Sequence, residues 1–320
     1  MITTWLTDTF DLSVPVVAAP MAGPGEARLA AAVSAAGGLG MVGVSDSRSP
    51  DWLREQAQIA AAPARPYGVG LMAWALQRDA AQLDAVLGLG PDLRPALVSV
   101  SFGDVAPFVA RLRDAGVRAA VQAGTVDEAE RAVAAGADLV VARGAEGGGH
   151  GRDAVATLPL LQAVLDRVDV PVVAAGGVAG PRGLAAVLAA GAVGAWVGTA
   201  FLTAREAATP PAARQRLLAA DGADTAYGRV FDVAQRLGWP PEYGGRALRN
   251  PYFDRWRDRL DELATDDAAA EELARARLDG DLDTAYVYAG QGVGGLTEER
   301  SAADVLADLG RAEELLRRFG

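Results

Sequence analysis

Along the first two hundred positions, short continuous apolar runs alternate with longer alanine-rich stretches of helical period. The runs predict strands at Val14–Ala18, Leu39–Val44, Tyr67–Leu71, Ala96–Ser101, Arg118–Gln122, Leu139–Ala142, Val170–Ala175 and Ala195–Val197. Their unbroken Val/Ala/Leu character suits parallel strands covered on both faces, because half-exposed strands alternate apolar with polar. The intervening stretches predict helices, among them Glu26–Ala36, Pro50–Ala61, Val105–Ala115, Val126–Ala135 and Pro181–Ala190.

Three of these helices run into a glycine and then a strand: Ala36-Gly37, Ala135-Gly136 and Ala190-Gly191. Glycine just past a helix is the usual left-handed stop, where any other residue meets a Cβ penalty. A repeating helix, glycine stop and strand, eight strands long, predicts an α/β chain closed into a (β/α)8 TIM barrel. A doubly wound open sheet is the alternative; no GxGxxG turn follows the first strand, which counts against it.

The rhythm breaks near residue 206. Pro210-Pro211, Pro240-Pro241, Trp239, Trp256 and the charged run Arg255–Arg277 follow, with Leu260, Leu263, Leu273 and Leu278 at helical spacing. Residues 206–285 are therefore expected to form a mainly helical insertion at the barrel mouth. Residues 1–205 and 286–320 would form the barrel, with Ser301–Arg318 as its last helix. The segments around Trp239-Pro240-Pro241 and Arg246–Asn250 would shape either the entrance or a subunit contact.

Composition then removes whole reaction classes. The 320 residues contain one histidine, His150, and no cysteine, and all 30 basic residues are arginine. A Schiff-base or pyridoxal lysine, a thiolate nucleophile and a Cys/His metal cluster are excluded. Clusters of Asp and Glu at metal-ligand spacing are not apparent, so no metal is expected. A net charge of −11 disfavours nucleic acid and anionic membranes as partners. Apolar runs break well before 18 residues, and no targeting segment is visible, so a cytoplasmic protein is expected.

Candidate chemistry gathers where the strands end. In barrels of this kind, function sits at the C-terminal ends of the strands, with phosphate often held after the seventh and eighth. Here those strands run into Ala175-Gly176-Gly177-Val178 and Gly198-Thr199-Ala200-Phe201. Glycine lets backbone N–H groups approach phosphate oxygens, although either loop taken alone is also an ordinary tight turn. The sixth strand leads into Glu146-Gly147-Gly148-Gly149-His150-Gly151. A histidine among glycines belongs to a loop, and it is the one side chain here whose ordinary pKa lies near neutrality. Glu146 is either a second polar ligand or the residue that orients the loop. Ala19-Pro20-Met21-Ala22-Gly23, Ser99, Ser101 and Gln122 would face the same mouth.

These motifs, with Ala36-Gly37-Gly38-Leu39-Gly40 and Gly290-Gln291-Gly292, occur in an order that resembles the nitronate monooxygenases, FMN-dependent (β/α)8 enzymes formerly called 2-nitropropane dioxygenases. The resemblance spans nearly the whole chain. It implies FMN across the barrel mouth, its phosphate held by Gly176, Gly177, Gly198 and Thr199. The flavin ring would rest near Pro20, Met21, Ala22 and Gln122, with Glu146, Gly148, Gly149 and Gln291 completing the cofactor set. His150 would be the catalytic residue on the substrate side, orienting an alkyl nitronate or deprotonating a nitroalkane, with O2 carrying the product to carbonyl compound and nitrite. The alternative within the superfamily is an NAD(P)H-dependent FMN reductase of the quinone or enoyl-acyl-carrier-protein type. A non-catalytic flavin- or phosphate-binding barrel is the third reading, and a homodimer is left open. Two departures stand out. The family often carries Asn or Gln where this chain has Gly70, and Ala where it has Gly147.

Overall fold

The computed structural model describes residues 2–318. Its strands are β1 (Val16–Ala18), β2 (Gly40–Gly43), β3 (Tyr67–Met72), β4 (Leu97–Ser101), β5 (Arg118–Ala123), β6 (Leu139–Arg143), β7 (Gly149–Gly151), β8 (Val172–Ala175), β9 (Gly194–Val197), β10 (Thr225–Gly228) and β11 (Gly244–Leu248). Eight of them form one parallel sheet in the order β1-β9-β8-β6-β5-β4-β3-β2. The ends of that sheet meet. Ala18 N donates to Leu39 O at 2.9 Å and Leu39 N to Val16 O at 3.0 Å, so the sheet closes on itself beside β2. All eight expected strands are present, and their ends shift by at most two residues.

The barrel interior is filled from within and from below. Val17, Leu39, Met41, Leu97, Leu139, Val141, Val173 and Trp196 form one buried cluster with Leu6 and Phe10. The last two come from a short helix, Trp5–Phe10, whose start is fixed by reciprocal bonds between Thr4 and Thr7. That helix plugs the barrel floor, and Leu6 lies where a Cβ on Gly194 would stand. The outer faces of the strands pack against the helices in a second, larger cluster. The three expected glycine stops, Gly37, Gly136 and Gly191, all have positive φ. The final helix departs from expectation: Ala302–Gly310 ends at Arg311, and a separate turn, Ala312–Leu316, follows.

Residues 206–285 carry the helices Pro211–Leu218, Val230–Ala234, Pro251–Trp256, Leu260–Leu263 and Asp267–Asp279. Phe231, Tyr252, Phe253, Trp256, Leu263 and Leu273 give this region a small core of its own. It also contains β10 and β11, which sequence pattern does not suggest. They join β7 in an antiparallel sheet of order β10-β11-β7, pairing Gly245 with His150. The histidine segment is therefore a strand rather than a free loop. Gly-His-Gly has little intrinsic strand preference, so the pairing is imposed by its tertiary partner. No helix among the described residues is long and apolar enough to cross a membrane.

Candidate active site

The glycine-rich ends of β6, β8 and β9 and the return segment at residues 289–292 converge at one end of the barrel. Gln291 N donates to Glu146 O at 2.9 Å, and Gly290 N to Thr199 Oγ1 at 2.9 Å. A Cβ on Gly148 would stand 2.5 Å from Gly290 N, and one on Gly292 would stand 3.2 Å from Gly177 O. Close backbone approach is what these glycines permit. Met21 reaches the same place, its sulfur 3.6 Å from where a Cβ on Gly198 would lie. Pro20 takes up the space beside Gly70, where an added Cβ would overlap the proline ring. A polar side chain at position 70 has no room here.

The ends of β8 and β9 make a donor-rich cradle. Gly176 and Gly177 both have positive φ, a backbone path that side chains resist. Among the described residues, no protein acceptor meets the N–H groups of Gly177, Val178 or Thr199. A Cβ built on Gly177 would touch Glu146 Cβ at 3.7 Å, so this glycine is loosely packed. Backbone N–H groups without a protein acceptor in glycine-rich turns suit a phosphate group. Glu146 itself is committed elsewhere. Its Oε2 accepts from Thr157 N and Thr157 Oγ1, both at 2.7 Å, at the start of the helix Thr157–Leu165. That is the loop-orienting arrangement.

His150 sits above this floor in a polar and aromatic enclosure. Its Nε2 lies 2.8 Å from Asp232 Oδ1, and the two side chains are 12% and 3% exposed. Trp239 stacks on the imidazole with centroids 3.6 Å apart and planes 2° from parallel. Tyr288 tilts against it at 5.2 Å, its hydroxyl 3.4 Å from Asp232 Oδ1. Burial, then the charge of Asp232, pushes the Tyr288 phenol well above its ordinary pKa, so it stays a hydrogen-bond donor. Gln122 Nε2 donates to the His150 carbonyl at 3.3 Å, and Gln122 N donates to Ser101 Oγ at 2.9 Å. Trp239 is backed by Trp74 at 5.3 Å and Phe102 at 5.0 Å. Among the described residues no three His, Asp or Glu side chains gather as metal ligands would.

A carboxylate bonded to one imidazole nitrogen fixes the tautomer. With the proton on Nε2, shared with Asp232, Nδ1 is the acceptor. Sequence reasoning reached His150, Gln122 and the glycines but passed over Asp232, Tyr288 and Arg143. Asp232 left one clue, an isolated acid inside the apolar run Val230-Phe231-Asp232-Val233-Ala234.

The sequence model of the nitronate monooxygenases matches residues 3–311. The chain belongs to this family. The crystal structure of a nitroalkane oxidase from Streptomyces ansochromogenes superposes with a TM-score of 0.81 and 31% identity, covering 97% of this chain and 99% of that one. FabK from Thermotoga maritima superposes with a TM-score of 0.85 and 28% identity, covering 99% and 98%. Two other relatives are longer than this chain. A (3aS,4S,5R,7aS)-5-hydroxy-7a-methyl-1-oxo-octahydro-1H-indene-4-carboxyl-CoA dehydrogenase of Rhodococcus jostii is 36% identical over 72% of this chain, which spans 63% of that protein. A Mycobacterium tuberculosis protein, 38% identical, is spanned to 58% of its length.

Proposed function

We propose that this nitronate monooxygenase family member oxidises alkyl nitronates with O2 to a carbonyl compound and nitrite, and accepts nitroalkanes through His150. The observation that carries the reading is the His150–Asp232 bond at the mouth of the barrel. FMN, when bound, supplies the redox chemistry. The residues present suit it. Gly176, Gly177, Gly198 and Thr199 would hold its phosphate, and Pro20, Met21, Ala22, Gln122, Gly148, Gly149 and Gln291 would line the rest of its bed.

The protein's own task is orientation and proton handling. A nitronate has already lost its α-proton, so His150 has only to hold the nitro oxygens by hydrogen bonding. A neutral nitroalkane must lose that proton, and the His150 ring nitrogen not bonded to Asp232 is the base that takes it. Positioned general bases typically contribute about 10²–10⁴-fold to rate. Trp239 and its aromatic backing keep water from the imidazole face.

Anaerobic addition of propionate 3-nitronate to the FMN-loaded protein tests the reading. Bleaching of the oxidised flavin absorbance is the expected result. Flavin that stays oxidised with nitronate but bleaches with NADH or NADPH would replace the proposal with a pyridine-nucleotide reductase. The base role has its own test. His150→Ala, with FMN content verified, should lose nitroalkane turnover by about 10²–10⁴-fold while nitronate oxidation suffers less. Equal losses on the two substrates would reject it.

A further inference from the structure

Arg143, the last residue of β6, has an environment that neither the histidine motif nor the cofactor bed explains. The side chain is 2% exposed, and among the described residues no carboxylate comes within 4 Å of it. The nearby acids are spent on others: Glu146 on Thr157, and Asp153 on Arg246 at 2.8 Å. Arg143 meets carbonyl oxygens instead. One terminal nitrogen, Nη2, donates to Gly147 O at 2.5 Å and to Gly149 O at 3.0 Å, and lies 3.3 Å from Gly148 O. The other, Nη1, donates to Arg152 O at 2.9 Å. Burial lowers the pKa to about 10, which still leaves the group charged at neutral pH.

These contacts straddle His150. Three accepting carbonyls precede it and one follows it. The glycines on either side are shaped by the same group, since a Cβ on Gly147 would stand 2.6 Å from Arg143 Nε and one on Gly151 would stand 2.7 Å from it. Nε is buried without an acceptor. The backbone of Gly147 and Gly151 packs against it, so the orphaned donor faces chain and not a hollow. That geometry describes a clamp rather than an anion site. It also accounts for the departure at position 147, where a methyl group would displace the guanidinium.

We propose that Arg143 is the positioning residue that holds the His150 strand in register with β11 and so sets the imidazole against Asp232. A buried cation without a counter-ion is costly, and it persists where charge-assisted bonds to several carbonyls replace its hydration. The planar fork of arginine can reach carbonyls on both sides of the histidine at once, which the single ammonium of lysine cannot. The inference rests on His150 being the working residue of the proposed reaction, so the test reads His150 directly.

Because His150 is the only histidine, its imidazole proton and nitrogen resonances need no assignment among others. They would be recorded for the FMN-loaded protein, for Arg143→Gln and Arg143→Lys, and for Gly147→Ala, which keeps the arginine but crowds it. Arg143→Gln should lose the signal of the Nε2 proton shared with Asp232, with a fall of about tenfold or more in nitroalkane kcat and little change in KM. Arg143→Lys should recover part of both. Native His150 resonances and native kcat in folded Arg143→Gln would overturn the proposal. If Arg143→Gln does not fold, Gly147→Ala decides, since a displaced His150 signal supports the clamp and an unmoved one overturns it. Absence of nitroalkane turnover in the native protein would sink the proposed function alone, because the resonances would still report the clamp.

Discussion

His150 Nε2 and Asp232 Oδ1 meet at 2.8 Å across 82 positions of sequence, one on β7 and the other in the helix Val230–Ala234. Residues 206–285 therefore supply the carboxylate that meets the chain's one imidazole. If the pair works as a unit, Asp232→Asn should cut nitroalkane kcat/KM by about 10²-fold, because the amide no longer fixes the tautomer that leaves Nδ1 as acceptor. The loss should not add to that of His150→Ala in the double variant, since residues acting as a unit are strongly non-additive. Steady-state kinetics of the three variants decide it. Additive losses would mean that Asp232 serves some purpose apart from His150.

Trp239 lies flat on the imidazole, and this predicts chemical reactivity. With its face covered and its side chain 12% exposed, His150 should react slowly with an acylating reagent such as diethyl pyrocarbonate. Trp239→Ala should speed the modification several-fold, and Trp239→Phe should not. One histidine per chain makes the stoichiometry unambiguous. An unchanged rate in Trp239→Ala would show that reagents reach the ring from another side.

The barrel was legible because strands buried on both faces leave continuous apolar runs, and each glycine stop marks where a helix turns into a strand. The glycines of the cradle were legible for the same reason, since Gly176 and Gly177 stand out where side chains would be expected. β7, β10 and β11 were not. Gly149-His150-Gly151 has neither alternation nor β-branched residues, and only the approach of Gly244 and Gly245 makes it a strand. Asp232 sits at helical spacing among apolar neighbours, where an acid reads as a solvent-facing residue. Its burial depends on a chain fold that brings together positions 82 apart. Arg143 ends an apolar run like any surface arginine, and only the wrapping of the glycine strand around it reveals its place.

The contact between Pro20 and Gly70 makes a stability prediction. A Cβ at position 70 would stand 2.4 Å from both Cβ and Cγ of the Pro20 ring. Gly70→Ala should destabilise the protein by about 1–3 kcal/mol, the usual range for overpacking. Pro20→Gly removes both crowding atoms, Cβ and Cγ, so the double variant should lose less than the two single variants combined. Denaturant unfolding of the single and double variants checks this; a double variant weaker than both singles combined would rule out the ring as the cause.

Five tyrosines set the alkaline limit of the fold. Tyr243 and Tyr252 are pushed up to about 12, mainly by burial, and burial also raises Tyr67, Tyr286 and Tyr288. Well below pH 10 these five phenols are protonated in both folded and unfolded chains, so their contribution to stability is complete. Above pH 10 the unfolded chain releases these protons first, and stability must fall as pH rises toward 12. Arg143 acts in the opposite sense. Its lowered pKa means the folded chain releases that proton from about pH 10 while the unfolded chain retains it, which adds stability over the same interval. One rising contribution against five falling ones leaves a net loss. The thermal midpoint should be flat through pH 9 and then drop steeply, with the absorbance of these five tyrosinates appearing together with unfolding rather than before it. Ionisation of more than one phenol per chain in the folded protein near pH 10 would show that these five are not buried as the structure has them.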